Sequence, residues 1–294
     1  MGMREAVQQL VWSEEEMRYL APPPRPLRAH LSNPLRRVIA ARPTLEPHEQ
    51  TRSSIVYSPH DGRHGNFIDA SYRQIVADVG WAKRLRKAHT GKRQARPTGP
   101  DEILRPWCEL DAATSSDALL MNIFCYPRVL TGAALCGLIG VERGITPEFG
   151  YRTRVALHRG LRDRTEIDMR VGSLLVEAKL TESGFQNASL SLLERYPRCF
   201  AVFDRDLLEV REGKVANYQL LRSILATEAE QAEFCLMLDA RRTDLIACWA
   251  ATLSAVRSYD LRTRLKLLTW QEIAATLPHA LREFLAAKYD IHAA

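Results

Sequence analysis

Apolar and polar residues alternate most cleanly over residues 165–182, Thr-Glu-Ile-Asp-Met-Arg-Val-Gly-Ser-Leu-Leu-Val-Glu-Ala-Lys-Leu-Thr-Glu. A period of two is the strand pattern. Gly172-Ser173 interrupts it and suits a two-residue turn, because glycine accepts the positive φ that the first central position of a type II′ turn requires. The stretch therefore predicts a β-hairpin. Counting outward from the turn sets Val171 against Leu174, Met169 against Val176, Asp168 against Glu177 and Glu166 against Lys179. One face then carries Ile167, Met169, Val176 and Ala178 and packs on a core. The other carries Glu166, Asp168, Glu177 and Lys179.

The rest of the pattern predicts helices at 3–20, 68–89, 118–126, 132–141, 185–196 and 218–226, and strands at 151–158, 199–203 and 234–238. Tyr72, Ile75, Val76, Val79 and Leu85 give 68–89 its 3.6-residue periodicity. Ser115-Ser116-Asp117 offers N-caps to the helix at 118–126, and Asn122 inside it reads as a buried side chain tying down a neighbouring loop. The run Cys-Phe-Ala-Val-Phe at 199–203 suits a short buried strand. Thr243 or Asp244 caps a helix running through Ala255, Thr269-Trp270-Gln271-Glu272 starts another, and 279–288 closes the chain. Prolines crowd 21–50 and recur at 97–106; the first reads as an extended linker or arm, the second as a break. The reading is an α/β protein in two parts: residues 1–106, a mainly helical, Pro-rich and basic extension, and residues 107–294, the domain that holds the hairpin.

Composition narrows the class. A chain of 294 residues is long enough for a large core. A formal charge of +6 and a pI near 9.1 favour a polyanionic partner such as nucleic acid. Cys108, Cys125, Cys136, Cys199, Cys235 and Cys248 form no C-x-x-C pair, which fits reduced, buried thiols in a cytoplasmic protein and argues against zinc. No apolar run reaches membrane-spanning length, the start lacks a signal-peptide core, and Ala6 stands where a myristoylation motif wants Ser or Thr. A phosphate-binding G-x-x-x-x-G-K-[ST] loop and a Ser/His/Asp order are both missing from the sequence.

The charged face of the hairpin carries the chemistry. Opposed carboxylates roughly 5 Å apart repel and require a proton or a cation between them. A hard divalent ion takes carboxylate oxygens together with water and phosphate. Asp168 followed by Glu177-Ala178-Lys179 on the next strand resembles the PD-(D/E)XK nuclease superfamily, the restriction-endonuclease-like fold. Ile167 stands where that family often has proline. A bare Glu-X-Lys has little specificity, and Glu212-Gly213-Lys214 is a second instance that reads as a turn. The bland alternative is a solvated hairpin face with Glu166 and Lys179 as a cross-strand ion pair.

The resemblance implies a mixed central sheet flanked by helices, in the order helix, three strands, helix, strand, helix, strand. It implies a Mg²⁺- or Mn²⁺-dependent nuclease acting on DNA, in restriction, defence or DNA processing. Asp168, Glu177 and Lys179 are then catalytic, and Asp168, Glu177 and the Ala178 carbonyl bind the metal. A further acid comes from Glu148, preferred because it leads directly into the strand at 151–158, or from Glu142 or Glu166. A catalytically silent nucleic-acid-binding or interaction protein on the same fold, and an RNA-directed nuclease, stay open.

Phosphate-binding candidates are the cluster Lys83, Arg84, Arg86, Lys87, Lys92 and Arg93, then Gln186, Arg241 and Arg242. The cluster equally fits a helix C-terminus favouring positive charge. Arg241 and Arg242 equally fit a loop lock with Asp239 and Asp244, and Gln186 fits plain surface. Arginines 25, 28, 36, 37 and 42 suit phosphate tracking or a solvated arm packed on the domain. His60, Asp61 and His64 sit in a Gly-rich loop and do not define a metal site.

Overall fold

Five strands order the molecule: β1 (Glu148–Arg152), β2 (Glu166–Val171), β3 (Leu174–Ala178), β4 (Glu233–Leu238) and β5 (Leu265–Thr269). They stand side by side as β5-β4-β3-β2-β1, so chain order is preserved across the sheet. The pairs β1–β2 and β2–β3 are antiparallel, and β3–β4 and β4–β5 are parallel. The structure, a computed structural model, describes residues 24–41, 47–51, 54–57, 59–88 and 108–294. The expected helix at 3–20, the proposed boundary near residue 107, and Lys92 and Arg93 lie outside the described residues or at their edge.

The predicted hairpin forms in the predicted register, with Val171 against Leu174 and Met169 against Val176. Gly172 takes φ +60°, as the turn demands. Strands β3 and β4 are buried on both faces, which is why their sequences read as continuous apolar runs.

Helices cover both faces. On one side lie α1 (Pro24–Ala41), α3 (Ser116–Phe124), α4 (Ala133–Ile139) and α7 (His279–Tyr289), which join Met169, Val176, Ala178, Cys235 and Met237 in one core. On the other lie α5 (Tyr218–Ala229) and α6 (Thr243–Ser254), packed with Leu175, Phe234, Leu236 and Leu238. A small third cluster joins α2 (Asp69–Ala77), through Tyr72 and Ile75, to Met121 and Cys125 of α3. The result is a mixed sheet between two helical layers, an α/β restriction-endonuclease-like core.

Several elements differ from the sequence expectation. The proline-rich stretch is a helix over Pro24–Ala41 rather than an extended arm. Pro24 and Pro26 fall in its first turn, where a missing N–H costs nothing, and buried Leu27 and Leu31 dock it on the core. The expected helix at 68–89 breaks at Asp78, whose side chain caps Trp81 N; Val76 and Val79 are exposed, and a 3₁₀ turn over Lys83–Arg86 follows. The first core strand begins at Glu148 and ends at Arg152.

The run at 199–203 forms a helical turn, Cys199–Val202, and 185–196 holds a short strand, Ala188–Ser189, ahead of one helical turn, Leu190–Leu193. The second parallel strand is instead Leu265–Thr269. The expected order of helices and strands therefore stands, displaced along the chain. All six cysteines are free thiols. Among the described residues, no helix is long and apolar enough to cross a membrane.

Candidate active site

The site forms where β2 parts from β3. The ladder closes at Met169–Val176, and beyond it the Ala178 N–H donates to the Asp168 carboxylate at 2.9 Å. Glu177 is 1% exposed and Lys179 6% exposed, so the charged face of the hairpin is buried rather than solvated. Asp168 is half-buried and forms the outer member. Lys179 is held by its main chain: its N–H donates to Met237 O at 2.8 Å, and its carbonyl accepts from Trp270 Nε1 at 2.9 Å. The site thus lies at the C-terminal ends of β3 and β4, where open α/β sheets commonly bind ligands.

Within it, Glu177 Oε1 accepts from Lys179 Nζ at 2.8 Å and from Gln219 Nε2 at 2.5 Å. Glu177 Oε2 is buried without a hydrogen-bond partner. Burial drives the Asp168 carboxyl well above the usual carboxylate range, and the Glu177 and Asp117 charges add to the shift. Burial also raises Glu177, against the pull of Lys179. Burial works against the charged form of Lys179, but Glu177, Glu182 and Asp168 outweigh it and raise the ammonium above its ordinary value.

The expected Glu166–Lys179 pair is not made. Glu166 turns to Arg84 at 2.8 Å and Lys87 at 3.0 Å, while Lys179 turns to Glu177. Burial would raise the Glu166 carboxyl, but the hydrogen bonds and charges of Arg84 and Lys87 hold it at about 2. Arg84 also grips Asp117 at 2.6 Å, and Lys87 reaches Asp117 at 3.2 Å and Glu109 at 3.1 Å. Two members of the basic cluster therefore point inward onto acids, and Lys83 and Arg86 are exposed.

The acid that α3 brings to the pair is Asp117, from its first turn, and not Glu148. Glu148 is exposed and sits across from Arg170, toward the hairpin turn; Glu142 is exposed as well. Gln219, at the start of α5, occupies the place expected for Gln186; Gln186 is exposed, at φ +58° in a loop. Pattern marks neither Asp117 nor Gln219 as a site residue. Asp117 reads as a helix-cap acid, and Gln219 as one more polar residue opening a helix.

Arg242 is fully buried, with Nε and Nη2 on Asp244 at 2.8 Å and Nη1 on Leu180 O at 3.0 Å. Arg241 pairs with Asp239 at 2.7 Å and Asp290 at 3.1 Å. Both form the loop lock, and Arg242 has no free face for phosphate. His64 is buried against Asp111 at 3.1 Å. Asn122 binds Ile68 N at 2.8 Å and Asn66 O at 2.9 Å, tying down that loop as expected.

The donor set fits a divalent cation in part. Two adjacent carboxylates, one with an orphan oxygen, suit a hard ion. The third acid, Asp117, is engaged by Arg84 and Lys87. As the side chains stand, no group of three or more His, Cys, Asp or Glu among the described residues is placed to hold a metal.

A family model described as "Restriction Endonuclease associating with ARP" (REase-ARP) matches residues 42–290. The chain belongs to this family. The REase-ARP match spans the whole sheet, the hairpin and α7. No curated relative and no solved structure matches the chain.

Proposed function

We propose that this REase-ARP chain works on nucleic acid through a nuclease-type site that is assembled but closed. As it stands the fold binds nucleic acid or a protein partner; a divalent ion, Mg²⁺ or Mn²⁺, admitted to the acid pair makes it a DNA-hydrolysing enzyme. The reading is carried by Glu177, whose Oε1 is satisfied from within while its buried Oε2 has no partner beside a second raised carboxyl.

Asp168 and Glu177 would hold the ion, with the Ala178 carbonyl as the resemblance implies and Asp117 once released by Arg84. When bound, such an ion polarises a phosphoryl oxygen and lowers the pKa of water. The chain's own residues do the rest. Asp168 would have to be ionised to hold the ion, since metal ligands of this type bind as carboxylates. Lys179 stays charged, so it acts as a fixed cation against negative charge gathering on the phosphate, and not as a base. Gln219 holds Glu177 in place through Oε1.

Specific observations favour a permanently silent protein instead: the burial of Glu177 and Lys179, and the engagement of Asp117 by Arg84 and Lys87. The family description, which has its members associating with ARP, also suits an interaction role.

The test is to incubate the purified chain with duplex DNA, single-stranded DNA and RNA, with EDTA, Mg²⁺ or Mn²⁺, beside Asp168→Asn and Lys179→Ala. Metal-dependent DNA products from the wild type, falling at least about 100-fold in both folded variants, are expected. Binding without products under every metal leaves the silent reading, and products chiefly from RNA would move the substrate.

A further inference from the structure

Between β1 and β2 the chain runs out from the site end of the sheet and back. Arg152 pairs with Glu166, Thr153 N bonds Thr165 O at 3.1 Å, Val155 pairs with Asp163 and Ala156 with Arg162. The two ladders are separate but keep one antiparallel register across the gap between them, and in that register Arg154 falls opposite Arg164. The two faces of this stretch differ sharply. Thr153, Val155, Leu157 and Thr165 are buried, and Val155 and Leu157 belong to the core under α5. Arg152, Arg154, Arg162 and Arg164 are all exposed on the opposite face, and Arg159 is exposed at the tip.

Asp163, the acid within this stretch, is turned inward to Arg222 at 3.1 Å and Tyr196 at 2.6 Å. No salt bridge among the described residues engages Arg154, Arg159, Arg162 or Arg164, and Arg152 reaches Glu166 at 4.0 Å. Like charges set directly opposite across a ladder destabilise it. Arg154 and Arg164 share one register in the gap between the two ladders, and no salt bridge to a carboxylate engages either among the described residues.

We propose that this arginine ribbon is the surface that grips duplex DNA, laying guanidinium groups on backbone phosphates and feeding the strand toward Asp168. The inference rests on the reading of the site as nucleic-acid-directed. The arginine face ends at Glu166, two residues before Asp168 on the same strand. A two-stranded ribbon fits the major groove of B-form DNA, whereas the deep, narrow groove of an RNA duplex excludes it. Guanidinium forks match phosphate oxygens in pairs.

The test measures binding of a fluorescent duplex by the full chain in EDTA across a salt series, so that no cleavage enters. Arg154→Ala/Arg164→Ala, Arg154→Glu/Arg164→Glu and a control pair at exposed Arg198 and Arg205 are compared, with thermal melts to confirm folding. Each phosphate contact contributes about 0.9 to the slope of log K against log salt. The alanine pair is expected to flatten the slope by about 2 and weaken binding at least about 10-fold, the glutamate pair to weaken it further, and the control to leave both unchanged. An unchanged slope in the folded alanine pair overturns the proposal, as does an equal loss in the control or tighter wild-type binding to duplex RNA. Loss of cleavage in Asp168→Asn with this binding intact separates a failure of the acid pair from a failure of the ribbon.

Discussion

Asp168 and Glu177 oppose folding in the ion-free chain, because two carboxylates share one desolvated corner. Both carboxyls stand above the usual range, chiefly through burial. A carboxyl raised in the folded state takes up its proton before the unfolded chain does. Stability from this pair therefore grows as pH falls from neutral through the raised folded values toward those of unfolded carboxylates. Glu166 has the opposite sign: held at about 2 by Arg84 and Lys87 against the pull of burial, it stabilises the fold above its unfolded value near 4.5. That contribution is lost as pH falls from there toward 2. Asp168→Asn is accordingly expected to raise stability at pH 7 by about 1 kcal/mol, or Tm by about 2–4 °C, while ending any cleavage. Millimolar Mg²⁺ or Mn²⁺ should raise the wild-type Tm and leave the Asn variant unmoved, since an ion that binds the folded state alone stabilises it by mass action. Calorimetry with and without metal checks both. Equal metal shifts in the two proteins would place the ion elsewhere.

The hairpin was legible because three independent features agree on it: alternation by two, a Gly-Ser turn and an apolar opposite face. Glu212-Gly213 proved to be the turn it resembled, with φ of +50° and +71°. Elements set by tertiary contact were not legible. Cys-Phe-Ala-Val-Phe carries no period that separates a strand from a helical turn, and Leu265–Thr269 becomes a strand by pairing with β4 rather than by its own alternation. Asp117, carried by the first turn of α3, is engaged by Arg84 and Lys87 from some thirty residues earlier, a contact that no local pattern announces. Gly150 shows how β1 permits this. It lies between the Phe149–Met169 and Tyr151–Ile167 pairs, at φ +68°, and a Cβ there would come within 2.3 Å of Arg84 Nη1. Gly150→Ala therefore strains the backbone and displaces the clamp on Glu166 and Asp117. The expected cost is about 2–3 kcal/mol, or Tm lower by about 5–10 °C. An Arg84→Lys background, with the guanidinium gone, should soften that loss; a thermal-melt cycle of the single and double variants measures the coupling.

Long-range ties at the far edge of the first helical layer hold the earliest and latest described segments to the same body. Lys288, fully buried on α7, donates to Asn66 O at 2.5 Å and to the Asn66 side-chain oxygen, with Tyr57, Phe284 and Tyr289 rings around its ammonium. His30 of α1 meets Asp290 at 2.8 Å, and Arg241, leaving β4, meets the same carboxylate. Asn66 in turn accepts from Asn122 of α3, whose first turn bears Asp117. A buried ammonium is tolerated when polar atoms and ring faces take up its charge. Lys288→Met keeps most of the side-chain volume and removes the donor; the Asn66 main-chain oxygen keeps Asn122, but the Asn66 side-chain oxygen loses its hydrogen bond in an apolar setting. The cost of such an orphaned group is about 2–3 kcal/mol, which corresponds to a Tm fall of about 5–10 °C in a chain of this size. Because the tie passes through the 59–66 segment, protease cleavage there should speed up before the hairpin loses protection in hydrogen exchange. If Lys288→Met instead lowers protection in β3 and the 59–66 segment together, the two behave as one cooperative unit and the tie serves the whole fold rather than its N-terminal side.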